Sequence, residues 1–294
     1  MGVKSMTESI SAKVIADSVS PEGKRITTFE LEYHRYILAE LNTHAMTARN
    51  TASSRAIPIQ RMIDLVMEQP VNPVEWGRNR AGMQATETLD ETESKLAEHV
   101  WDEARRAAVS YATDLMNLGV HKQVVNRLLE PFQKAKTVLT ATELNNFFTL
   151  RLHSAAQPEI RILAERMKEA MEASTPNQLQ YGEWHTPYFD TGFWSGTIHA
   201  DSLEDALAIS SSCCAQVSYR KLDQSIEKAR DIYHKLVTSK PVHASAFAHC
   251  ATPIKSYSQQ GVTHERIDDG TLWSGQFQGW VQYRQLIEEN YIKG

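Results

Sequence analysis

The chain has 294 residues, 41% hydrophobic and 23% charged, which is enough for one sizeable core or two modest ones and excludes wholesale disorder. A formal net charge of -5 excludes a general binder of nucleic-acid polymers, yet it allows a small anion held by a few local arginines and backbone N–H groups. No apolar run nears the ~20 residues that span a bilayer, the first ten residues carry no signal-peptide core, and Cys213, Cys214 and Cys250 form no C-x-x-C or zinc spacing, so a reducing cytoplasm is the expected setting.

In chain order, Ala12–Val19 and Ile26–Tyr33 read as a hairpin around the turn chemistry of Pro21–Glu22–Gly23. A short helix is predicted from Arg35 to about Thr43, followed by a Ser/Thr/Asn/Arg-rich segment, His44–Arg55, with no clean apolar period. Pro58 suits the first turn of a helix carrying Met62, Ile63, Val66 and Met67, which stops near Pro70. Val71–Ala85 reads as an ordered loop. Asp90 and Glu93 resemble a capping box. They open a long helix with an apolar stripe of Leu96, Ala97, Val100, Trp101, Ala104, Ala108, Tyr111 and Leu115, stopped by Gly119.

Further helices are expected at Lys122–Glu130, Ala141–Arg151, Pro158–Glu172, Leu203–Ala215, Ser225–Thr238 and Trp280–Glu289. Gln178–Ala200 is aromatic and turn-rich and reads as short strands or loops, and Ala251–Thr252–Pro253 as a turn. The expected fold class is α/β (α+β). It is one compact unit, undivided or made of two packed halves, about 1–175 and 176–294.

Four segments carry candidate chemistry. His44–Arg55 offers hydroxyl, amide and guanidinium donors and no negative charge; Arg forks and Ser hydroxyls suit phosphate. From composition alone it reads equally as a solvated loop before the Pro58 helix. Asn145–Arg151, followed by Ala156–Arg161, reads first as an amphipathic helix with a surface arginine. His243–His249 holds two histidines that share no helix face and complete no metal shell, so they read as structural. Ser274–Arg284 reads as a glycine-marked helix start with buried aromatics. The absence of G-x-S-x-G, Walker and G-x-G-x-x-G segments leaves hydrolase-elbow, P-loop and Rossmann readings unsupported. Tyr181–His185 holds an acid and a histidine with no telling spacing.

Together these blocks resemble the flavin-dependent thymidylate synthases. That family's signature is R-H-R-x-x-S-x-N-E-x-S-x-R, and Thr43–Arg55 keeps His44, Asn50, Ser53 and Arg55. The long, often phage-encoded variants read T-H-R-x-x-S-R-N-x-x-S-S-R-A-I-P, which Thr43, His44, Arg49, Asn50 and Ser53–Pro58 match. Trp76–Gly77 and Gly82–Ala85 match that form as well. Phe147–Arg151 and Ala156–Ile160 are similar to F-x-x-L-R and A-Q-x-E-I-R, Arg127 with Pro131 to R-x-x-x-P, His243–His249 to H-x-[ST]-P-F-E-H, and Gly279–Arg284 to G-W-x-Q-Y-R.

The resemblance implies a mixed, largely antiparallel sheet packed with long helices. It implies methyl transfer to dUMP from methylenetetrahydrofolate, with NADPH as reductant and FAD as cofactor, giving dTMP. His44, Asn50, Asn146, His243 and Ser245 would contact FAD. Ser53, Ser54, Arg55 and Arg127 would hold the dUMP phosphate, and Arg151 would face the uracil ring as the catalytic residue. A homotetramer with shared active sites, in a host cytoplasm if phage-encoded, is also implied. The chain departs from the family at Ala45, Ala48, Thr51, Ala246 and Ala248, where the family has Arg, Ser, Glu, Pro and Glu. Two alternatives follow: transfer of another one-carbon group, such as hydroxymethyl, to a pyrimidine nucleotide, and a nucleotide-binding relative without catalysis.

Overall fold

The fold is taken from a computed structural model that describes residues 9–189, 203–218, 225–239, 243–259, 262–266, 272–273 and 275–292. Strands β1 (Ser11–Val19) and β2 (Arg25–His34) form the expected antiparallel hairpin, with a register shift between Val14 and Ala16. Gly23 closes its turn at φ +75°, a left-handed conformation that costs a side-chain-bearing residue and not glycine. A 3₁₀ turn (Arg35–Ile37) leads into the short helix α1 (Leu38–Asn42).

Strand β3 (Thr47–Thr51) comes next, inside the segment expected to lack regular structure. Its five residues are too few to show an apolar period against so polar a background. Strand β4 (Lys134–Ala141) pairs with both β2 and β3. With β5 (Asn177–Gln178), parallel to β1, the order is β3-β4-β2-β1-β5. The sheet is therefore mixed and largely antiparallel, as the resemblance implied.

The pleat divides the sheet into two faces. Phe29, Leu31, Tyr33, Leu139 and Ala141 point to one, where helices α5 (Asn145–Arg151) and α6 (Pro158–Glu172) bury Phe147, Ile160, Leu163 and Met167 against them. Ile15 and Val138 point to the other, beneath α7 (Leu203–Ala215) and α8 (Ile226–Thr238), where they meet Tyr188, Ile209, Cys213, Cys214 and Ala229. A side cluster joins α2 (Ile59–Glu68), α3 (Glu91–Asn117) and the segment made of α4 (Lys122–Val125) and a 3₁₀ turn (Asn126–Phe132).

The Asp90–Glu93 capping box that opens α3 is present, worth roughly 1 kcal/mol by analogy with other caps. The stripe expected on α3 splits. Trp101, Ala108, Ala112 and Leu115 face the side cluster, whereas Leu96, Val100 and Tyr111 lie on an exposed flank. Arg105 takes an inward position because Asp102 and the Val66 carbonyl satisfy its guanidinium.

Three further expectations are corrected. The predicted Ala141–Arg151 helix starts only at Asn145, because Ala141 ends β4. Ala251–Pro253 is strand β6 rather than a turn. It pairs antiparallel with β10 (Trp280–Gln282), the start of the segment read as a helix, and α9 (Tyr283–Ile292) begins after it. Two short partners three residues long have no period of their own; each becomes a strand through the other. Between them in sequence, β7 (Lys255–Gln259), β8 (Val262–Arg266) and β9 (Leu272–Trp273) form a separate antiparallel sheet. Of Gln178–Ala200, residues up to 189 are turns around β5, and Asp190–Ala200 and Ser274 lie outside the described residues.

Gly279 carries the C-terminal segment over the first hairpin. It sits at φ +79°, and a Cβ there would come 2.8 Å from Lys24 Cγ. The adjacent Trp280, fully buried, donates its Nε1–H to the Lys24 carbonyl at 3.2 Å.

Candidate functional site

Two clusters of the candidate residues form, at opposite ends of β3. At its N-terminal end, Arg151 in the last turn of α5 donates Nε–H to His44 Nε2 at 2.9 Å and Nη2–H to Thr43 Oγ1 at 3.1 Å. His44 is nearly buried and stands edge-on to Phe147, with ring centroids 4.9 Å apart. Burial, then the Arg151 and Arg49 charges, lower its pKa from the ordinary histidine value, so the ring is neutral and accepts from Arg151. Among the described residues nothing engages Arg151 Nη1, which is therefore available to an outside acceptor.

Arg49 on β3 fixes the turn beneath this pair. Its Nη1–H groups reach the Leu41 carbonyl at 3.0 Å, the His44 carbonyl at 2.7 Å and Thr47 Oγ1 at 2.9 Å. One guanidinium nitrogen thus ties the end of α1 to β3. From the C-terminal segment, Gln276 Nε2 donates to the Ala45 carbonyl at 3.1 Å.

At the other end of β3, the turn Ser53–Ile57 is stitched to the segment 122–132. Asn126 donates Nδ2–H to the Ser54 and Ile57 carbonyls at 2.7 and 3.0 Å, and Lys122 Nζ donates to the Ala56 carbonyl at 3.2 Å. Glu130 Oε1 accepts from Ser54 Oγ at 3.1 Å and from Arg127 Nη1 at 2.8 Å, and pairs with Arg35 Nη2 at 3.2 Å. Arg55 is exposed and engages no partner among the described residues. Ser53, half-buried, sits in the same turn.

The remaining candidates lie apart from these two clusters or at their margins. Asn50 alternates with Arg49 to the other sheet face, where Nδ2 donates to the Cys214 carbonyl at 2.9 Å. Asn146 is exposed on α5, and His243 and Ser245 are exposed at the 3₁₀ turn Ala244–Ala248. His249 is fully buried; Thr140 Oγ1 meets its Nδ1 at 2.9 Å, and its Nε2 has no partner among the described residues. Thr140 continues a buried polar chain through Thr28 Oγ1, 2.7 Å away, to His185, which also meets Ser18 Oγ at 2.9 Å. Complete burial holds both His185 and His249 neutral, with pKa values lowered to about 3.

β3 alone separates the two clusters by about 13 Å at the usual rise of a strand. Arg127 and Ser54 are brought together, and so are His44 and Arg151, but the sets remain distinct within one chain. Sequence reasoning missed Glu130, Arg35 and Gln276. A lone Glu before a proline carries no signal, and Arg35 reads as the ordinary first residue of a predicted short helix. Gln276 lies within a glycine-marked stretch whose sequence gives no sign of a contact with Ala45.

These two clusters fall within one recognised family region. A family model described as thymidylate synthase complementing protein matches residues 20–177, more than half of the chain. The chain belongs to the flavin-dependent thymidylate synthase family. A flavin-dependent thymidylate synthase of Sulfolobus acidocaldarius is 29% identical over 140 residues, covering 47% of this chain and 54% of that protein. The chain thus spans about half the length of that curated relative. Among solved structures, a UMP/dUMP methylase PolB of Streptomyces cacaoi bound with 5-Br dUMP has a TM-score of 0.47 at 16% identity, covering 55% of this chain and 89% of that one. A Helicobacter pylori flavin-dependent thymidylate synthase with FAD and dUMP has a TM-score of 0.34 at 19% identity, covering 50% of this chain and 67% of that one.

The family region contains His44, Arg49, Asn50, Ser53–Arg55, Arg127, Asn146 and Arg151. It excludes His243, Ser245 and Gln276. Among the described residues no group of three or more His, Cys, Asp or Glu could hold a metal ion, and no helix is long and apolar enough to cross a membrane.

Proposed function

We propose that this member of the flavin-dependent thymidylate synthase family methylates the uracil ring of dUMP, drawing its one-carbon unit from methylenetetrahydrofolate and its reducing equivalents from NADPH. The observation that carries the reading is the His44–Arg151 pair. A neutral imidazole accepts one N–H of a guanidinium whose Nη1 has no partner among the described residues. Uracil C5 becomes nucleophilic only as negative charge spreads onto the ring carbonyls. A positioned guanidinium stabilises that charge without reorganising at the moment of reaction. Thr43 and His44 fix its orientation from two sides, so Arg151 is the residue assigned to the developing oxyanion.

Ser53, Ser54, Arg55 and Arg127 are assigned to the phosphate. Asn126 and Lys122 hold the backbone of their turn in place, and Arg55 has no partner among the described residues. Because β3 keeps this cluster apart from Arg151, the working site is read as completed between copies, in a homotetramer.

The donors proposed for FAD fit such a group in chemistry. Asn146, His243 and Ser245 are exposed amide, imidazole and hydroxyl groups, and His44 presents a neutral ring. Asn50 can contribute only the amide hydrogen not given to Cys214, or its oxygen. When bound, the flavin supplies the hydride chemistry, while the chain binds, orients and excludes water. Ala45 removes one cationic contact from this part of the site, where the family has an arginine.

That substitution favours a second reading, a nucleotide-binding relative that holds no flavin. The visible absorption spectrum of the purified protein, with and without added FAD, separates the two. Flavin bands that co-purify or appear on titration support the synthase; a protein that binds dUMP and never takes up FAD supports the second reading. Mass analysis of the product nucleotide distinguishes methyl from hydroxymethyl transfer.

A further inference from the structure

The phosphate cluster contains a negative charge of its own. A single oxygen, Glu130 Oε1, receives Arg127 Nη1 at 2.8 Å, Ser54 Oγ at 3.1 Å and Arg35 Nη2 at 3.2 Å. Two of these three donors are groups assigned above to the substrate phosphate. The three side chains are layered. Arg35 is innermost at 14% exposed, Glu130 follows at 27%, and Arg127 is outermost at 56%. Arg35 also donates Nη1–H to the Ala52 carbonyl at 3.3 Å, which anchors it under the turn that carries Ser53–Arg55.

Charge counting explains why an acid is kept there. Arg35, Arg55, Arg127 and Lys122 contribute four positive charges and Glu130 one negative charge, leaving three. Without Glu130 the excess over the charge of a nucleoside monophosphate dianion would be larger still. Arg35 is too enclosed to be left uncompensated, so its partner must persist. Arg127 is exposed, and its pair with Glu130 is the contact that yields at least cost.

We propose that Glu130 is a built-in counter-anion of the phosphate site, so that a nucleotide phosphate binds by exchange, taking Arg127 and Ser54 away from a carboxylate. Glu130 then acts as an affinity-limiting residue. It keeps Arg127 and Ser54 ordered in the free protein, weakens the hold on phosphate by like-charge repulsion, and favours release of the product monophosphate. The proposal rests on the nucleotide reading above, with Ser54 and Arg127 at the phosphate.

The test is calorimetric titration of wild type, Glu130→Gln and Glu130→Asp with dUMP, and with deoxyuridine as a control lacking phosphate. Removing one like charge a few ångströms from the phosphate is expected to tighten dUMP binding by roughly tenfold or more in Glu130→Gln. Deoxyuridine binding is expected to be unchanged, and Glu130→Asp, which keeps the charge, to show no gain. The dissociation constant of inorganic phosphate should fall in Glu130→Gln by a factor similar to that for dUMP. If Glu130→Gln fails to fold because Arg35 loses its partner, the double variant Arg35→Gln/Glu130→Gln removes both charges and is expected to show a smaller gain, because Arg127 and Ser54 are still freed while a cation is lost as well. Unchanged or weaker dUMP binding in the folded neutral variant, with wild type still binding dUMP, overturns the counter-anion and makes Glu130 an orienting residue. Absence of dUMP binding in all variants, wild type included, overturns the nucleotide reading itself.

Discussion

Arg151 Nε donates to His44 Nε2 at 2.9 Å, although the two residues are 107 positions apart in the chain. The bond requires a neutral imidazole, because a protonated one has no lone pair to offer. Burial and two neighbouring guanidinium groups supply that condition. The pair joins the turn after α1 to the last turn of α5, and it is the contact on which the catalytic assignment rests.

Replacing Arg151 by Lys removes both the Nε and Nη2 donations, since an ammonium on a flexible stem cannot reproduce a planar fork. The expected outcome is a fall in kcat of about a hundredfold or more with a much smaller change in KM for dUMP, as for loss of a transition-state contact. Steady-state kinetics with a thermal melt checks this. A KM effect alone would show that Arg151 only binds.

Arg49 supports the same turn from below. Arg49→Gln leaves the Leu41 and His44 carbonyls without their shared donor. Each carbonyl keeps a second donor, the His44 N–H and the Thr47 hydroxyl, so a loss of about 1 kcal/mol of stability is expected, the usual net worth of a hydrogen bond. Urea unfolding measures it, and nucleotide affinity should fall in parallel because His44 is no longer held.

Acid should destabilise the protein through its buried histidines. His185 and His249 have folded pKa values near 3, and His34, also buried, near 4, all below the ordinary 6.5. The unfolded chain therefore binds protons that the folded chain refuses. Stability is full above about pH 6.5 and declines as the pH falls from there toward the folded values. Urea midpoints between pH 7.5 and pH 4.5, set against those of His249→Gln, check the sign; the variant should show a shallower decline.

Glu159 is a buried carboxylate with three donors around it: Tyr36 Oη at 2.7 Å, the Val74 N–H at 2.9 Å, and Gln157 Nε2. Glu159→Gln turns one acceptor oxygen into a donor facing donors. A loss of roughly 1–3 kcal/mol is expected, read as a lower melting temperature and earlier proteolysis of the Val71–Glu75 loop that it anchors.

What the sequence disclosed follows from how local each signal was. Helix α6 is bounded as expected, since Pro158 starts it and its buried positions keep a helical period through Met167. The β1–β2 hairpin was legible from Gly23 and alternation. Strands β3 and β4 were not, because Arg49 and Asn50 look like loop residues until β4 supplies their partners. Strands β6 and β10 are three residues each and exist through each other. Among site residues, His44 and Arg151 could be singled out through the family resemblance, but their mutual bond could not. Glu130 and Arg35 gain meaning only when residues 95 positions apart meet.

The most direct measurement of the central claim is release of tritium from dUMP labelled at uracil C5, with FAD, NADPH and methylenetetrahydrofolate supplied. Release that depends on all three and is lost in Arg151→Lys is the result this account predicts. No release from a folded protein that binds both FAD and dUMP would contradict it.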